Sequence, residues 1–150
     1  SNGFVLEIGP GVGTGSTLAI QEGLQGHKNP LHITVDIRDY MMIKPTAPWW
    51  HLVIGDSRRP HTAVDVVKIS PRVKAGLIFI DTDHHYDQMK AELPVWELFA
   101  SSETVWLFHD VMMWGAYNHM NDAIKEFAAE NKWHFEIWRT ETHGLGRMHK

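Results

Sequence analysis

Acidic side chains directly follow five short apolar segments of the sequence that have the composition of β-strands. They are Glu7, Asp36, Asp56, Asp81 with Asp83, and Asp110 with His109 before it. Carboxylates accept hydrogen bonds from hydroxyl and amino groups, bind divalent cations and take up protons. If the segments are parallel strands, their carboxyl ends meet at one edge of a sheet, where open α/β sheets bind ligands. The spacing therefore predicts a polar ligand site at that edge.

A glycine-rich turn follows the first apolar segment. Gly9, Gly11 and Gly13 alternate there and lead into a helix-like segment that contains Ser16. Glycine takes positive φ angles at little cost, and without a Cβ it lets a ligand lie against the backbone. The free N–H groups at the start of the helix would face that ligand. No lysine follows the glycines, which excludes a P-loop, so we predict a nucleoside-binding turn rather than a connection that binds nothing.

Strand-like and helix-like segments alternate along the chain and must position these residues. The predicted strands are residues 4–8, 31–37, 50–54, 76–80 and 103–108, followed by an antiparallel pair at 133–140 and 144–148. The predicted helices are residues 14–25, 62–69, 86–100 and 118–131. This alternation predicts a mostly parallel sheet covered on both faces. No linker or internal repeat interrupts it, so we expect one domain spanning residues 1–150.

Asp36 and Asp56 suggest a bound adenosine. Asp36 ends the second strand, where a carboxylate accepts both ribose hydroxyls of a nucleoside, and Asp56 could accept an adenine amino hydrogen. A turn-capping role is the alternative for Asp36, and Gly-Asp-Ser is also a common turn sequence. An NAD-dependent oxidoreductase is the rival interpretation. It fits less well because Thr14 occupies the last position of the G-x-G-x-x-G pattern.

Five motifs in order resemble the class I S-adenosylmethionine-dependent methyltransferases: EIGPGVGTGSTLA, VDIR, GDS, FIDTDHHYDQMKAEL and FHD. More narrowly, IFIDTDHHYDQMKAELPVW followed by LFHDV is similar to the small-molecule O-methyltransferases of the cephalosporin-biosynthesis and macrocin type, the methyltransferase 24-like group. The resemblance covers residues 4–148. It implies an α/β, Rossmann-like, doubly wound fold whose mostly parallel seven-stranded sheet has the order 3-2-1-4-5-7-6 and ends in an antiparallel C-terminal hairpin.

This chain departs from the family pattern at two places. The GTGST run is about one residue longer than the family's commonest turn, and the helical segment that usually precedes the first strand is absent, so we expect no N-terminal lid. S-adenosylmethionine is the cofactor that the resemblance implies. The residues expected to bind it are Glu7, Gly9, Gly11, Gly13, Ser16, Asp36, Asp56, Ser57 and Asp81.

A divalent cation at Asp81, His109 and Asp110 is a further implication of the resemblance, because metal-dependent members bind one at these positions. His109 stands where such members usually carry a carboxylate. Imidazole suits Mn²⁺, Fe²⁺, Zn²⁺ or Ni²⁺ better than Mg²⁺, so the identity of the cation stays open. The alternative is that His109 forms a hydrogen bond in the pocket while Asp110 caps the next segment.

Methyl transfer from an activated sulfonium requires alignment of an acceptor oxygen and removal of its proton. Asp83 is the first choice for the base, and His84 or His109 would take this role without a metal. Residues 111–120 are expected to line the acceptor pocket. Its apolar residues are Met112, Met113, Trp114 and Tyr117, which could equally fill the core or form a dimer contact.

Composition excludes several partners. The chain has 43% hydrophobic and 21% charged residues, as soluble globular proteins do. A net charge of −4 without a basic stripe argues against nucleic acid, and no apolar run suits a membrane span. The absence of cysteine fits the cytoplasm. We therefore expect a cytoplasmic enzyme of the EC 2.1.1 class that O-methylates a small molecule, with homo-oligomerisation left open and a catalytically degenerate adenosylmethionine-binding domain as the alternative.

Overall fold

The computed structural model describes residues 3–70, 74–113 and 119–150, and within them seven strands form one sheet. The strands are β1 (Phe4–Ile8), β2 (His32–Asp36), β3 (Trp50–Ile54), β4 (Ala75–Ile80), β5 (Val105–His109), β6 (His134–Arg139) and β7 (Leu145–His149). The helices are α1 (Ser16–Leu24), α2 (Pro60–Ile69), α3 (Tyr86–Glu97) and α4 (Met120–Glu130). Among these helices, none has the length and apolar character needed to cross a membrane.

The strand order is β3-β2-β1-β4-β5-β7-β6, which confirms the predicted Rossmann-like fold. Strands β1 to β5 pair in parallel, whereas β7 runs antiparallel between β5 and β6. Most predicted boundaries differ from the observed ones by one or two residues, and the largest difference is at the end of helix α3. Helix α3 ends at Glu97 because the next amides, from Phe99 and Ala100, bond three residues back in tighter turns. Strand β5 begins at Val105 because Thr104 closes a turn onto Ser101.

An aromatic cluster anchors β5, the strand that leads into His109 and Asp110. Trp106 is fully buried, and its ring lies between 6.1 and 6.2 Å from those of Phe108, Phe127 and Trp133. Such pairs contribute about 0.5–1.5 kcal/mol each beyond the burial of apolar area. The end of β5 is therefore held rigidly between α4 and the C-terminal hairpin.

Register brings the ends of the parallel strands to one level. Ile80 pairs with Ile8 on one side and with Phe108 on the other, so the next residues, Asp81 and His109, lie side by side. The Gly9 amide donates to the Val35 carbonyl, 2.8 Å away, and so continues the ladder one residue beyond β1. The acidic residues that follow the strands consequently share one edge of the sheet.

Candidate functional site

The glycine turn after β1 has the backbone that its sequence predicts. Gly9, Gly11 and Gly13 all have positive φ angles, of 80°, 55° and 76°. A Cβ at Gly9 would lie 2.4 Å from the Asp81 carbonyl oxygen, whereas one at Gly11 would meet nothing within 4 Å. Gly9 therefore permits close packing of β1 against the end of β4, and Gly11 presents bare backbone to an open space.

That open space is a cavity of about 460 Å³ at the carboxyl ends of the parallel strands. Its volume suits a ligand of nucleoside size. Of the residues expected to bind the cofactor, those that line it are Gly9, Gly11, Asp36, Asp56, Ser57 and Asp81. Sequence reasoning missed seven other lining residues, which are Ile8, Val35, Ile37, Tyr40, Arg58, Thr82 and Gln88.

Asp36 lies at the end of β2 and holds the glycine turn. Its Oδ2 accepts a hydrogen bond of 3.2 Å from the Gly11 amide, and its Oδ1 accepts one of 2.7 Å from the Ile37 amide. Partial burial raises the pKa of Asp36, an effect that these backbone donors oppose. The carboxylate keeps lone pairs for further donors, as a ribose-binding residue requires.

Asp56 lines the cavity and is also paired with an arginine, Arg58. Its Oδ1 accepts hydrogen bonds from the Arg58 backbone and Nε, and its Oδ2 accepts one of 2.8 Å from Nη2. This pairing with Arg58 lowers the pKa of Asp56 to about 2. The expected contact of Asp56 with an adenine amino group stays a prediction, and it would use the lone pairs that Arg58 leaves.

A buried carboxyl behind the cavity was missed by sequence reasoning. Glu92 of α3 is fully buried, and its oxygens accept hydrogen bonds from Thr82 Oγ1 (2.7 Å) and Gln88 Nε2 (3.1 Å). Gln88 Nε2 also donates to Ser57 Oγ, at 3.3 Å. Glu92 lies three residues after Met89 on the buried side of α3, a spacing that could have revealed it. The network fixes three side chains that line the cavity.

The ionisation of Glu92 should make stability depend on pH. Burial raises the pKa of Glu92 from its ordinary 4.5 to about 6, so the native protein holds this proton more tightly than the unfolded chain does. The free energy of unfolding therefore falls as pH rises, by about 2 kcal/mol between about pH 4 and about pH 8. Glu92→Gln should remove this contribution, as measured by urea denaturation across that range.

The matched control is Glu103→Gln, which alters an exposed carboxyl in the turn before β5. The difference in the free energy of unfolding between the wild type and each variant cancels the titration of every other group. Equal pH dependence in Glu92→Gln and Glu103→Gln would contradict the assignment to Glu92.

Glu7 is not among the residues that line the cavity, and its expected contact with the cofactor stays a prediction. It is fully buried, and its carboxylate accepts hydrogen bonds from Ser16 Oγ (2.6 Å) and Thr17 Oγ1 (2.9 Å). His32 Nε2 lies 3.0 Å from the same carboxylate. These contacts use the donors at the start of α1, so Glu7 and Ser16 bind each other rather than line the cavity.

Gly13 also lies outside the cavity lining. A Cβ there would stand 2.6 Å from the Met41 methyl and 2.7 Å from the Ile43 carbonyl oxygen. Because Gly13 has no Cβ, the loop after β2 can pack closely against the glycine turn at this position.

Asp81, a lining residue of the cavity, forms a cluster with His109 and Asp110. Each offers a ligand atom, and these atoms all lie within 4.8 Å of one another. His109 Nδ1 is 3.3 Å from Asp81 Oδ1 and 3.0 Å from Asp110 Oδ1. Burial raises the pKa of Asp81, which the nearby His109 opposes. Two carboxylates and an imidazole at this spacing form a donor set that fits a divalent cation.

Two further imidazoles approach Asp110. His84 Nε2 lies 3.1 Å from its Oδ2 and 3.8 Å from Asp81 Oδ1. His143 Nδ1, from the turn between β6 and β7, is 3.4 Å from Asp110 Oδ1. Sequence reasoning missed His143, because only the antiparallel return of β7 beside β5 brings that turn to the site.

Asp83 lies at the exposed side of the cavity. Its side chain is 64% exposed and pairs with His85 Nε2, at 3.3 Å, whereas the His84 side chain is only 17% exposed. In the expected acceptor segment, Met112 is exposed and Met113 is partly buried. Trp114 and Tyr117 lie outside the described residues, so their predicted positions stay predictions.

The sheet order, the glycine turn and the cavity at the strand ends together define a class I S-adenosylmethionine-dependent methyltransferase. The family model described as a methyltransferase domain, that of the methyltransferase 24 family, matches residues 6–111, and the chain belongs to this family. No curated protein sequence matches the chain.

Solved structures of methyltransferases share the fold. MycE from the mycinamycin biosynthetic pathway, in complex with Mg, SAH and mycinamycin VI, has a TM-score of 0.62 and 13% identity over 99% of this chain. CalS11, a TDP-rhamnose 3′-O-methyltransferase of calicheamicin biosynthesis, has a TM-score of 0.67 and 15% identity over 98% of this chain and 71% of its own. SAH-bound PaMTH1 of Podospora anserina has a TM-score of 0.64 and 16% identity over 97% of this chain and 70% of its own. The chain spans only 44% of the length of MycE.

Proposed function

We propose that this chain transfers a methyl group from S-adenosylmethionine to a hydroxyl of a small molecule, assisted by a divalent cation. The observation that carries the proposal is that a cavity suited to the methyl donor and a cluster suited to a cation are adjacent. A cavity lined by Gly11 and Asp36 lies next to the cluster of Asp81, His109 and Asp110, and Asp81 belongs to both. A methyl donor in the cavity would thus lie beside groups able to activate an oxygen.

The cavity residues fit adenosylmethionine. Asp36 would accept the ribose hydroxyls, and the Gly11 backbone would face the ribose and methionine part because no side chain intervenes there. Ser57 and Gln88, held by Glu92, would flank the adenine. When bound, the cofactor supplies a sulfonium methyl that needs alignment more than chemical activation.

The residues that would hold the cation are Asp81, His109 and Asp110. MycE was solved with Mg. In this chain, three imidazoles lie beside the two carboxylates of the cluster. Such a donor set favours Mn²⁺, Fe²⁺ or Zn²⁺ over Mg²⁺. A cation there would lower the pKa of an acceptor hydroxyl.

We assign removal of the acceptor proton to His84 ahead of Asp83. His84 is partly buried beside Asp81 and Asp110, whereas Asp83 is directed to solvent against His85. A carboxylate next to an imidazole stabilises the imidazolium that forms when the ring takes a proton. Small molecules are the proposed acceptors, with Met112 and Met113 of the segment after β5 beside them.

Isothermal calorimetry and an acceptor screen test this function. We expect S-adenosylhomocysteine to bind one site per chain and NAD⁺ to release no heat; the reverse result would favour an oxidoreductase. Purified protein should also carry adenosylhomocysteine that mass spectrometry detects. Transfer of a labelled methyl group to any hydroxyl compound in the presence of Mn²⁺ would support the enzyme, and cofactor binding without transfer to any acceptor would indicate a degenerate domain.

A further inference from the structure

We propose that the C-terminal hairpin carries a second metal site, formed by His134, Glu136 and His149 and selective for first-row transition-metal dications such as Zn²⁺, Ni²⁺ or Cu²⁺. Each residue offers one ligand atom, and these atoms all lie within 4.8 Å of one another. The site needs neither the methyl donor nor the cation of the proposed reaction.

Strand pairing places the three side chains together. His134 of β6 is the direct partner of His149 of β7, and their ring centroids are 5.2 Å apart. Glu136 lies two residues further along β6, and side chains two apart on a strand share one face of the sheet. His149 Nε2 is 4.0 Å from Glu136 Oε1. The face of the hairpin therefore presents two imidazoles and a carboxylate to one point.

The other ring nitrogen of His149 is also arranged as in metal sites. His149 Nδ1 lies 3.2 Å from the Lys150 carbonyl oxygen, and a hydrogen bond donated there leaves the lone pair of Nε2 toward Glu136. Histidine ligands commonly donate their second N–H to a backbone carbonyl in this way, which fixes the tautomer that binds metal. Bonds of about 2.0–2.2 Å put two donors on one ion no more than about 4.4 Å apart, so small side-chain rotations suffice.

The donor types define the ligand class. Imidazole suits Zn²⁺, Ni²⁺ and Cu²⁺, whereas Mg²⁺ and Ca²⁺ prefer oxygen ligands alone. The Arg147 guanidinium donates a hydrogen bond of 2.9 Å to Glu136 Oε1. Because the guanidinium also repels a cation, binding would use Oε2 or displace Arg147.

The hairpin site is separate from the cluster beside the cavity. His109 of β5 pairs with Leu145 at the start of β7, and His149 lies four residues further, about 13 Å along the strand. A metal at the hairpin would join β7 to β6, the outermost strand of the sheet. It would thus cross-link the last two strands of the described chain.

Calorimetric titration with ZnCl₂ tests the proposal in a background carrying Asp81→Asn, His109→Gln and Asp110→Asn, which removes all three ligands of the other cluster. We expect one Zn²⁺ per chain in this background. His134→Gln and His149→Gln should each weaken that binding at least tenfold, Arg147→Gln should leave it equal or tighter, and the control His61→Gln, an exposed histidine of α2, should not change it.

Absence of Zn²⁺ binding in the background, or unchanged affinity in both His134→Gln and His149→Gln, would overturn the proposal. NMR of the wild-type protein provides a measurement that needs no variant. Zn²⁺ should shift the ring signals of His134 and His149 together at one stoichiometry, and a shift confined to other histidines would contradict the site. If the cluster of Asp81, His109 and Asp110 holds no cation, Zn²⁺ should still bind to the hairpin. Each of the two metal sites can therefore be disproved without affecting the other.

Discussion

Replacement of Asp36 by alanine is expected to weaken the binding of S-adenosylhomocysteine at least 100-fold. Asp36 lies at the end of β2 in the cavity lining, and its two oxygens already orient the Gly11 and Ile37 amides. The ribose hydroxyls would add two hydrogen bonds to a charged acceptor, each worth about 1.5–3 kcal/mol. Their loss corresponds to a factor of about 100 or more in the dissociation constant, since about 1.4 kcal/mol is tenfold.

Two companion variants make this result interpretable. Asp36→Asn keeps the shape and one acceptor oxygen, so its loss should be smaller than that of alanine. Asp39→Asn removes an exposed carboxylate that pairs with Lys44 outside the cavity lining, and it should bind as the wild type does. Unchanged affinity in Asp36→Ala, measured by calorimetry, would place the ribose elsewhere.

Asp110→Asn is expected to reduce turnover roughly 100-fold and to make the remaining activity insensitive to EDTA. Asp110 contacts both His84 and His109 and is one of the three residues proposed to hold the cation. Its φ is 58°, a left-handed conformation that asparagine tolerates nearly as well as aspartate does. The amide therefore removes the charge without straining the backbone, whereas alanine would add strain of about 1–2 kcal/mol.

Chelation should reproduce the effect of this variant in the wild type. Treatment with EDTA is expected to lower the rate of methyl transfer similarly, and Mn²⁺ should restore it. Asp122→Asn serves as the control, because Asp122 lies in the first turn of α4 and pairs with His119 away from the cluster. Wild-type activity that EDTA leaves unchanged would remove the cation from the mechanism.

Local patterns were sufficient to predict most of the sheet. Buried strands such as β2 and β4 consist mostly of apolar and β-branched residues, and they end at Asp36 and just before Asp81. Parallel pairing then forces those two carboxylates to one edge. The lining of the cavity by Asp36 and Asp81 thus follows from periodicity and topology, without knowledge of side-chain contacts.

Side-chain contacts between distant segments could not be predicted in this way. His143 reaches Asp110 only because the hairpin returns beside β5, and nothing in its own neighbourhood marks it. Glu7 follows the pattern of a ligand-binding acid, yet His32 from the next strand and the hydroxyls of α1 enclose it. The position of a residue in its strand predicts how close the residue lies to the ligand-binding edge of the sheet. The neighbouring side chains then determine whether that residue faces the cavity.

The enclosure of Glu7 has a consequence for how the cofactor is received. Glu7 ties the start of α1 to β1 and to His32 of β2, and Asp36 holds Gly11 from the other side. The backbone of the turn is thereby ordered when the protein folds, so little conformational entropy remains to be lost on binding. We therefore expect the affinity for a methyl donor to depend mainly on the contacts between the donor and the cavity, because the glycine turn is already ordered.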